Sequence, residues 1–221
     1  MPRYFRQVPD FEYPSLIPDA KIGDYSKVKN LFKRGKLRED LYQNLAFFTK
    51  YKIKGNDRPD NVAYEVYGDA TLDWVILLSN NILNIQSEWP MTQQTFDEYL
   101  LEKYGTYEKI YEPHHYETVE VKNSQGVVIV PEGLQVPQDY SVTFFDFFIG
   151  ANEIKSNITT TITNYDYEEK IENDKRHIFI LKSRYLSVVY DDMIELMEYE
   201  KGSTQYVSET LKRADNIRLY D

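Results

Sequence analysis

The stretch "RPDNVAYEVYGDATLDWVILLSNNI", residues 58–82, reads as two very short helices folded back on each other. Asp60 is placed to accept the free amides of a first helix over about Asn61 to Tyr67, with Val62, Ala63 and Val66 facing inward and Gly68 ending it. Thr71 is placed to cap a second helix through about Ser79, which offers Trp74, Val75, Leu77 and Leu78 to a core before Asn80 and Asn81 stop it. "YKIK", 51–54, reads as a short alternating strand ahead of the pair, and "NIQSEW", 84–89, as a strand returning after it. The order is strand, helix, helix, strand. A unit of that size is too small to stand alone, so its flanks must say what it is for.

Upstream, Pro2, Pro9, Pro14 and Pro18 alternate with Tyr4, Phe5, Phe11 and Tyr13. Prolines at that density fix an extended arm, and the aromatic rings between them call for a surface to lie on, either the chain's own or a neighbouring subunit's. Leu37, Leu41, Leu45 and Phe48 follow at helical spacing, so Arg38 to Phe47 reads as helix. Downstream, Thr92 caps a helix that carries Phe96, Tyr99, Leu100 and Lys103 on one face and ends at Gly105. The character then turns to β. "TVEVKNSQGVVIV", 118–130, is a hairpin across Asn123 to Gly126, and "DYSVTFFDFF" and "NITTTITNYDY" continue in that style. A last strand, "RHIFILK", leads into a helix near Val188 to Tyr199 striped by Val189, Met193, Leu196 and Met197, with Gly202 as its stop. The reading is an α+β chain in five parts: arm and helix over 1–50, the two-helix module over 51–90, a connecting helix over 91–110, a β-rich region over 111–202, and a polar, extended tail over 203–221.

The chain has 221 residues, 42% of them apolar, as an ordinary folded protein does, but 20 are Tyr. Tyr suits either core edges or surfaces half-buried against a partner. A formal net charge of −10 repels phosphate backbones. The one basic cluster, "KVKNLFKRGKLRED" over 27–40, includes Arg34 and Arg38 and lacks interleaved stacking aromatics, which favours a solvated face or an acidic protein partner over nucleic acid. Cysteine is absent, which removes disulfides, thiolate metal sites and cysteine nucleophiles. No signal-peptide core and no membrane-length apolar run appears; "VTFFDFFIGA" is the most apolar stretch and is too short.

Catalytic chemistry finds no foothold. His114 and His115, adjacent on an extended chain, should point to opposite faces and make a poor chelate. Glu168, Glu169 and Glu172 read as solvated charges, and no phosphate loop or nucleophile elbow occurs. No catalytic, cofactor or metal residue is assigned, and no small-molecule ligand is expected. The candidate partner contacts are Tyr4, Phe5, Phe11, Tyr13, Arg34, Arg38, Arg58 and Trp89. Arg58 suits either a fork to a partner carboxylate or a local contact with Asp60. Trp74 and Trp89 are the kind of ring that anchors interfaces, though position 74, inside an apolar helix, favours the core.

The segment Tyr51 to Trp89 resembles a LysM module in Tyr51, Ile53, Gly55, Asp57, Val62, Ala63, Tyr67, Gly68, Leu72, Ile76, Leu77, Asn80, Asn81 and Ile82. With its flanks "LREDLYQNLAFFTK" and "EWPMTQQTFDEYLLEKYG" and the distant "NDKRHIFILKSRYL", the chain resembles the LysM-containing baseplate wedge protein of T-even-like contractile-tailed bacteriophages. That resemblance implies a non-enzymatic structural protein of the virion tail baseplate, present in the host cytoplasm during assembly. Its implied partners are other wedge proteins, which it joins into the inner baseplate ring by multivalent contacts, and sheath-like or tube-proximal tail proteins. Sugar-binding LysM modules usually have a compact Gly-Asp-Thr turn where this chain has "GNDRPDN", which turns the module toward protein. The competing reading is a peptidoglycan-binding protein or cell-wall hydrolase that uses the module for glycan targeting.

Overall fold

The computed structural model describes residues 4–202 and 204–214 and mixes helix with strand. The chain divides into two compact units, one formed by residues up to 89 together with those from 177 onward, the other by residues 90–176.

The first unit opens on a one-turn helix α1 (Tyr4–Gln7) and two antiparallel strands, β1 (Asp10–Pro14) and β2 (Tyr25–Lys29). Pro14 closes β1, where a missing amide costs the ladder least. The helix expected over 38–47 is broken in two. After α2 (Glu39–Tyr42) the side chain of Asn44 accepts from the Ala46 amide, competes with the helical bond and starts a 3₁₀ turn at Leu45–Phe47. Strand β3 (Phe48–Lys52) therefore begins three residues ahead of the expected 51–54.

Helices α3 (Pro59–Tyr67) and α4 (Asp73–Ser79) form as the opening stretch reads, with Gly68 at φ 74° ending the first and Asn80 the second. Their starts differ from expectation. Arg58, not Asp60, holds the N-cap of α3, with Pro59 in the first turn where no amide is needed. Asp69, not Thr71, caps the 3₁₀ turn Ala70–Leu72 that feeds α4, accepting from the Thr71 amide. The expected returning strand at 84–89 is also a helix, α5 (Ile85–Glu88). Asn84 accepts from the Gln86 amide while Glu88 reaches back to the Leu83 amide at 2.7 Å, and this reciprocal capping closes a helical turn.

The second unit then begins with α6 (Gln93–Tyr104), capped by Thr92 and stopped at Gly105, and α7 (Tyr107–Ile110). Strand β4 (Pro113–Thr118) follows, then a hairpin of β5 (Val121–Lys122) and β6 (Val128–Val130) turning across Asn123 to Gly126 as expected. Next come β7 (Gln135–Val136), a second hairpin of β8 (Val142–Asp146) and β9 (Ala151–Lys155), and β10 (Thr159–Thr163). Strands β10, β4 and β7 make an antiparallel sheet in that order. The β character ends at Thr163, whose hydroxyl and the Asp166 carboxylate form a capping box that starts α8 (Asn164–Lys175), so "NYDY" is helical. Two small cores serve this unit, one of Phe96, Leu100 and Ile110, the other of Val121, Val130 and Ile158.

The chain returns to the first unit as β11 (His177–Leu181), and this is the missing strand. It pairs antiparallel with β3 along its whole length, His177 opposite Lys52 and Leu181 opposite Phe48. Alternation turns Ile178 and Ile180 inward. The two short helices grip it: the Asn80 amide donates to and accepts from the Phe179 backbone, both at 2.8 Å, and Tyr67 Oη donates to the Leu181 carbonyl at 2.8 Å. Helix α9 (Leu186–Met197) adds Val189, Met193 and Met197 to the core, while Leu196, expected in the same stripe, is 45% exposed. The core centres on Val62, Ala63, Val75, Ile76 and Leu181, and each large aliphatic side chain withdrawn from water there contributes about 1.5–3 kcal/mol.

The tail is not simply extended. Strands β12 (Tyr206–Ser208) and β13 (Leu211–Arg213) form a hairpin, and β13 pairs parallel with β1. The resulting sheet runs β12, β13, β1, β2, so the N-terminal arm lies on its own chain. Pro2 and residues 215–221 of the expected tail lie outside the described residues.

Candidate interaction surfaces

The arm's four aromatics divide by role. Tyr4 packs against the core, its ring 6.0 Å from Trp74, and its hydroxyl accepts from the Gly35 amide at 2.9 Å. A Cβ at Gly35 would stand 2.5 Å from Met193 Sδ and 3.2 Å from the Tyr4 ring, so the Met193 side chain would have to shift to admit one. Phe5 meets Tyr4 edge-on and is 64% exposed. Phe11 is half-buried in β1, and Tyr13, on the same strand, is exposed.

The basic cluster lines an open cleft of about 1150 Å³, where Lys33, Arg34, Lys36 and Arg38 face Asp192, Glu195, Glu198 and Glu200. Much of its charge is already engaged. Lys33 Nζ donates to the carbonyls of Leu196 and Glu198 at 3.1 and 2.6 Å, closing the end of α9. Desolvation, with the Lys212 charge nearby, lowers the Lys33 ammonium pKa. Arg38 joins Asp40 at 2.6 Å and Asp192 at 3.3 Å, and Lys36 meets Glu39 at 3.2 Å. Arg34 is exposed and forms no ion pair among the described residues. At the mouth of the cleft Phe32 stands fully in solvent, with Leu31 71% exposed beside it.

Arg58 is exposed and bonded to its neighbour Asp60, Nε to Oδ1 at 3.2 Å. Trp89 is not at the surface. It is 6% exposed, packs in the main core and donates its indole N–H to the Asp57 carbonyl at 2.9 Å, which ties the turn before α3 to the end of α5. Trp74 is core as well.

Two groups in the second unit depart from their sequence reading. Glu168 is 4% exposed rather than solvated, bonded to Lys103 Nζ at 2.6 Å and Tyr104 Oη at 2.9 Å. Burial would raise its carboxyl, but the Lys103 and Tyr104 bonds outweigh that and hold it below the ordinary carboxylate range. The bond from Glu168 in turn raises the Lys103 ammonium. The spacing Tyr165, Glu168, Glu172 on one face of a helix is the signal that would have revealed an inward-facing carboxylate.

The rings of His114 and His115 meet, Nδ1 to Nδ1 at 2.8 Å, instead of pointing apart. The ladder skips His114, pairing Ile162 with His115 and Thr163 with Pro113, and this bulge removes the strict alternation. His114 stacks on Tyr167 at 4.0 Å, and His115 Nε2 lies 3.1 Å from Glu117. Among the described residues no cluster of three or more His, Asp and Glu is arranged to hold a metal ion, and no helix is long and apolar enough to cross a membrane. One carboxyl, Asp73, is pushed upward by burial, with Asp60 adding to it, but it does not line the cleft.

What these surfaces present is exposed aromatic and aliphatic side chains beside a cation, Arg34, that has no ion pair among the described residues, the materials of protein contact. Comparison with known families gives the class: this is a phage baseplate wedge protein. Over residues 18–126, from the loop after β1 to the turn between β5 and β6, the chain matches the family described as base plate wedge protein 53. No curated protein matches the chain.

Proposed function

We propose that this protein joins neighbouring wedge proteins in the inner baseplate through several modest contacts, acting by geometry rather than by catalysis. The observation that supports this most is the large apolar side chains left in solvent at the two ends of β2: Leu16, Ile17 and Ile22 in the β1–β2 connection, and Leu31 and Phe32 after β2, from 57% exposed to fully exposed. Apolar exposure at more than one place on a unit suits a chain that meets more than one neighbour. Phe5, Tyr13 and Arg34 extend the same face of the argument as contact residues, while Arg58 can exchange its Asp60 partner for a carboxylate on a neighbour.

In this reading the strand, two helices and strand formed by β3, α3, α4 and β11 are a LysM-like docking element for protein. Linked sites of modest affinity gain from one another, because the first contact raises the effective concentration of the next. The partners are other wedge proteins, met in the host cytoplasm during assembly, with sheath-like or tube-proximal proteins as further neighbours. Affinity purification of the tagged chain from phage-infected cells, with mass spectrometry of what accompanies it, tests the reading. Recovery of other baseplate proteins, reduced at least several-fold by Phe32→Ser with Leu16→Ser, is the expected result. Recovery of wall fragments without tail proteins would overturn it.

A further inference from the structure

The most apolar run in the chain, "FFDFFIGA" over 144–151, is the tip of the β8–β9 hairpin, and it lies beyond residue 126, where the family match ends. Along β8 the side chains alternate. Val142 and Phe144 pack toward the small core of Val121, Val130 and Ile158, whereas Phe145 is 46% exposed. Past the strand the apolar groups stand open to solvent: Phe147, edge-on to Phe145, is 89% exposed, Phe148 74% and Ile149 55%.

The tip is held rigidly in this form. Asp146, 1% exposed, accepts from the Ser124 amide at 3.0 Å, from the Phe148 amide at 2.9 Å and from the Ile149 amide at 3.3 Å. Those bonds, with Ser124's foremost, hold its carboxyl at about 2. Gly150, at φ 73°, donates to the Asp146 carbonyl at 2.7 Å and closes the turn. A buried carboxylate is thus committed to fixing a loop whose side chains point into water, and the Ser124 bond pins that loop to the neighbouring hairpin. A preorganised loop loses less freedom when it docks.

We infer that this hairpin tip is a plug that enters an apolar socket on another protein of the baseplate. The inference rests on the wedge reading and adds to it a surface in the second unit. The occupant follows from area and charge. Four such side chains can cover roughly 500 Å², less than the roughly 800 Å² per partner of a stable pairwise interface, so tip-to-tip contact between two copies is too small to hold. As one of several contacts made by a tethered chain, the same area suffices. A lipid surface is disfavoured by charge. No basic residue lies between Phe144 and Ile154, the nearest, Lys155, is paired with Glu153 at 3.0 Å, and the chain's net charge of −10 repels anionic headgroups. The partner's socket is concave, apolar and uncharged.

The experiment uses the full-length tagged chain expressed during infection, with a photo-reactive phenylalanine analogue at position 147, beside a Phe147→Ser, Phe148→Ser double variant and the unlabelled protein. The expected result is a covalent adduct from position 147 to an apolar residue of one identified baseplate protein, and a loss of about tenfold or more in recovery of that protein with the double variant. Circular dichroism unchanged by the double substitution would show that folding is intact; a Phe145→Ser variant gives a second measure if it is not. Adducts to a second copy, adducts to lipid, or Phe147-dependent pelleting with phosphatidylglycerol vesicles would each overturn the plug. So would undiminished recovery without an adduct, while the wedge reading stood. If the unlabelled protein itself recovered no baseplate protein, both would fall.

Discussion

The two units are built by opposite strategies. The first draws its core from residues far apart in the chain: β3 pairs with β11 after an excursion through the whole second unit, and β1 pairs with β13. The second closes within one continuous stretch of chain, through two tight hairpins, the β4–β10 ladder and a capped helix around two small cores. Non-local pairing must overcome loop-closure entropy before it is rewarded, so the first unit depends on all its parts being present at once. The second should tolerate the loss of one part with damage confined to it.

The largest effect should come from removing residues 177–221. The remaining half of the first unit then lacks β11 and α9, and residues 1–89 should lose protection in hydrogen exchange while amides of the β4–β10 ladder keep theirs. Equal loss in both units would break the contrast. A Leu181→Ala substitution, at a side chain with no exposure, should destabilise by about 2–5 kcal/mol in chemical unfolding. Asn80→Ala should cost about 1–3 kcal/mol, since it strips both bonds from the Phe179 backbone, and its effect should vanish in a chain that lacks β11.

The second unit offers a pH test. The folded pKa of Glu168 lies below its unfolded value, so its contribution is fully present above the ordinary carboxylate range and is lost as pH falls through the folded value. Glu168→Gln should therefore lower the unfolding midpoint at pH 7 and shrink the gap between variant and parent under acid. An equal gap at both pH values would mean that the Lys103 pair adds nothing. The smallest effect belongs to Arg58→Ala: its exposed pair with Asp60 should contribute less than about 1 kcal/mol to folding, so any larger loss in baseplate recovery reports a partner contact.

Legibility followed locality rather than unit. The helices at 59–67 and 73–79, the hairpin at Asn123 to Gly126 and the stripe of α9, Leu196 apart, were visible because periodicity and turn glycines act within a few positions, whereas the caps expected at Asp60 and Thr71 fell to Arg58 and Asp69. The partner of β3 was not, because "NIQSEW" alternates like a strand while Asn84 and Glu88 make it a helix, and nothing local says that "HIFIL" pairs with residues 48–52. Of the candidate contacts, Phe5, Tyr13, Arg34, Arg38 and Arg58 are exposed. Tyr4 and Trp89 instead pack with the core, their polar tips bonded to the backbone of Gly35 and Asp57, a long-range placement that isolated reading does not show. The His114–His115 contact was hidden by a bulge, and the burial of Glu168 because "NYDY" was read as β and the carboxylates after it as solvated, so the inward face of α8 was not seen.

The central claim is that this chain acts by contacting several baseplate proteins from both of its units. Lysine-reactive cross-linking of assembled tails, read by mass spectrometry, tests it most directly. The account expects links to other baseplate proteins from Lys33 or Lys36 in the first unit and from Lys155, beside the apolar tip, in the second. Links from only one unit, or none to any baseplate protein, would contradict it.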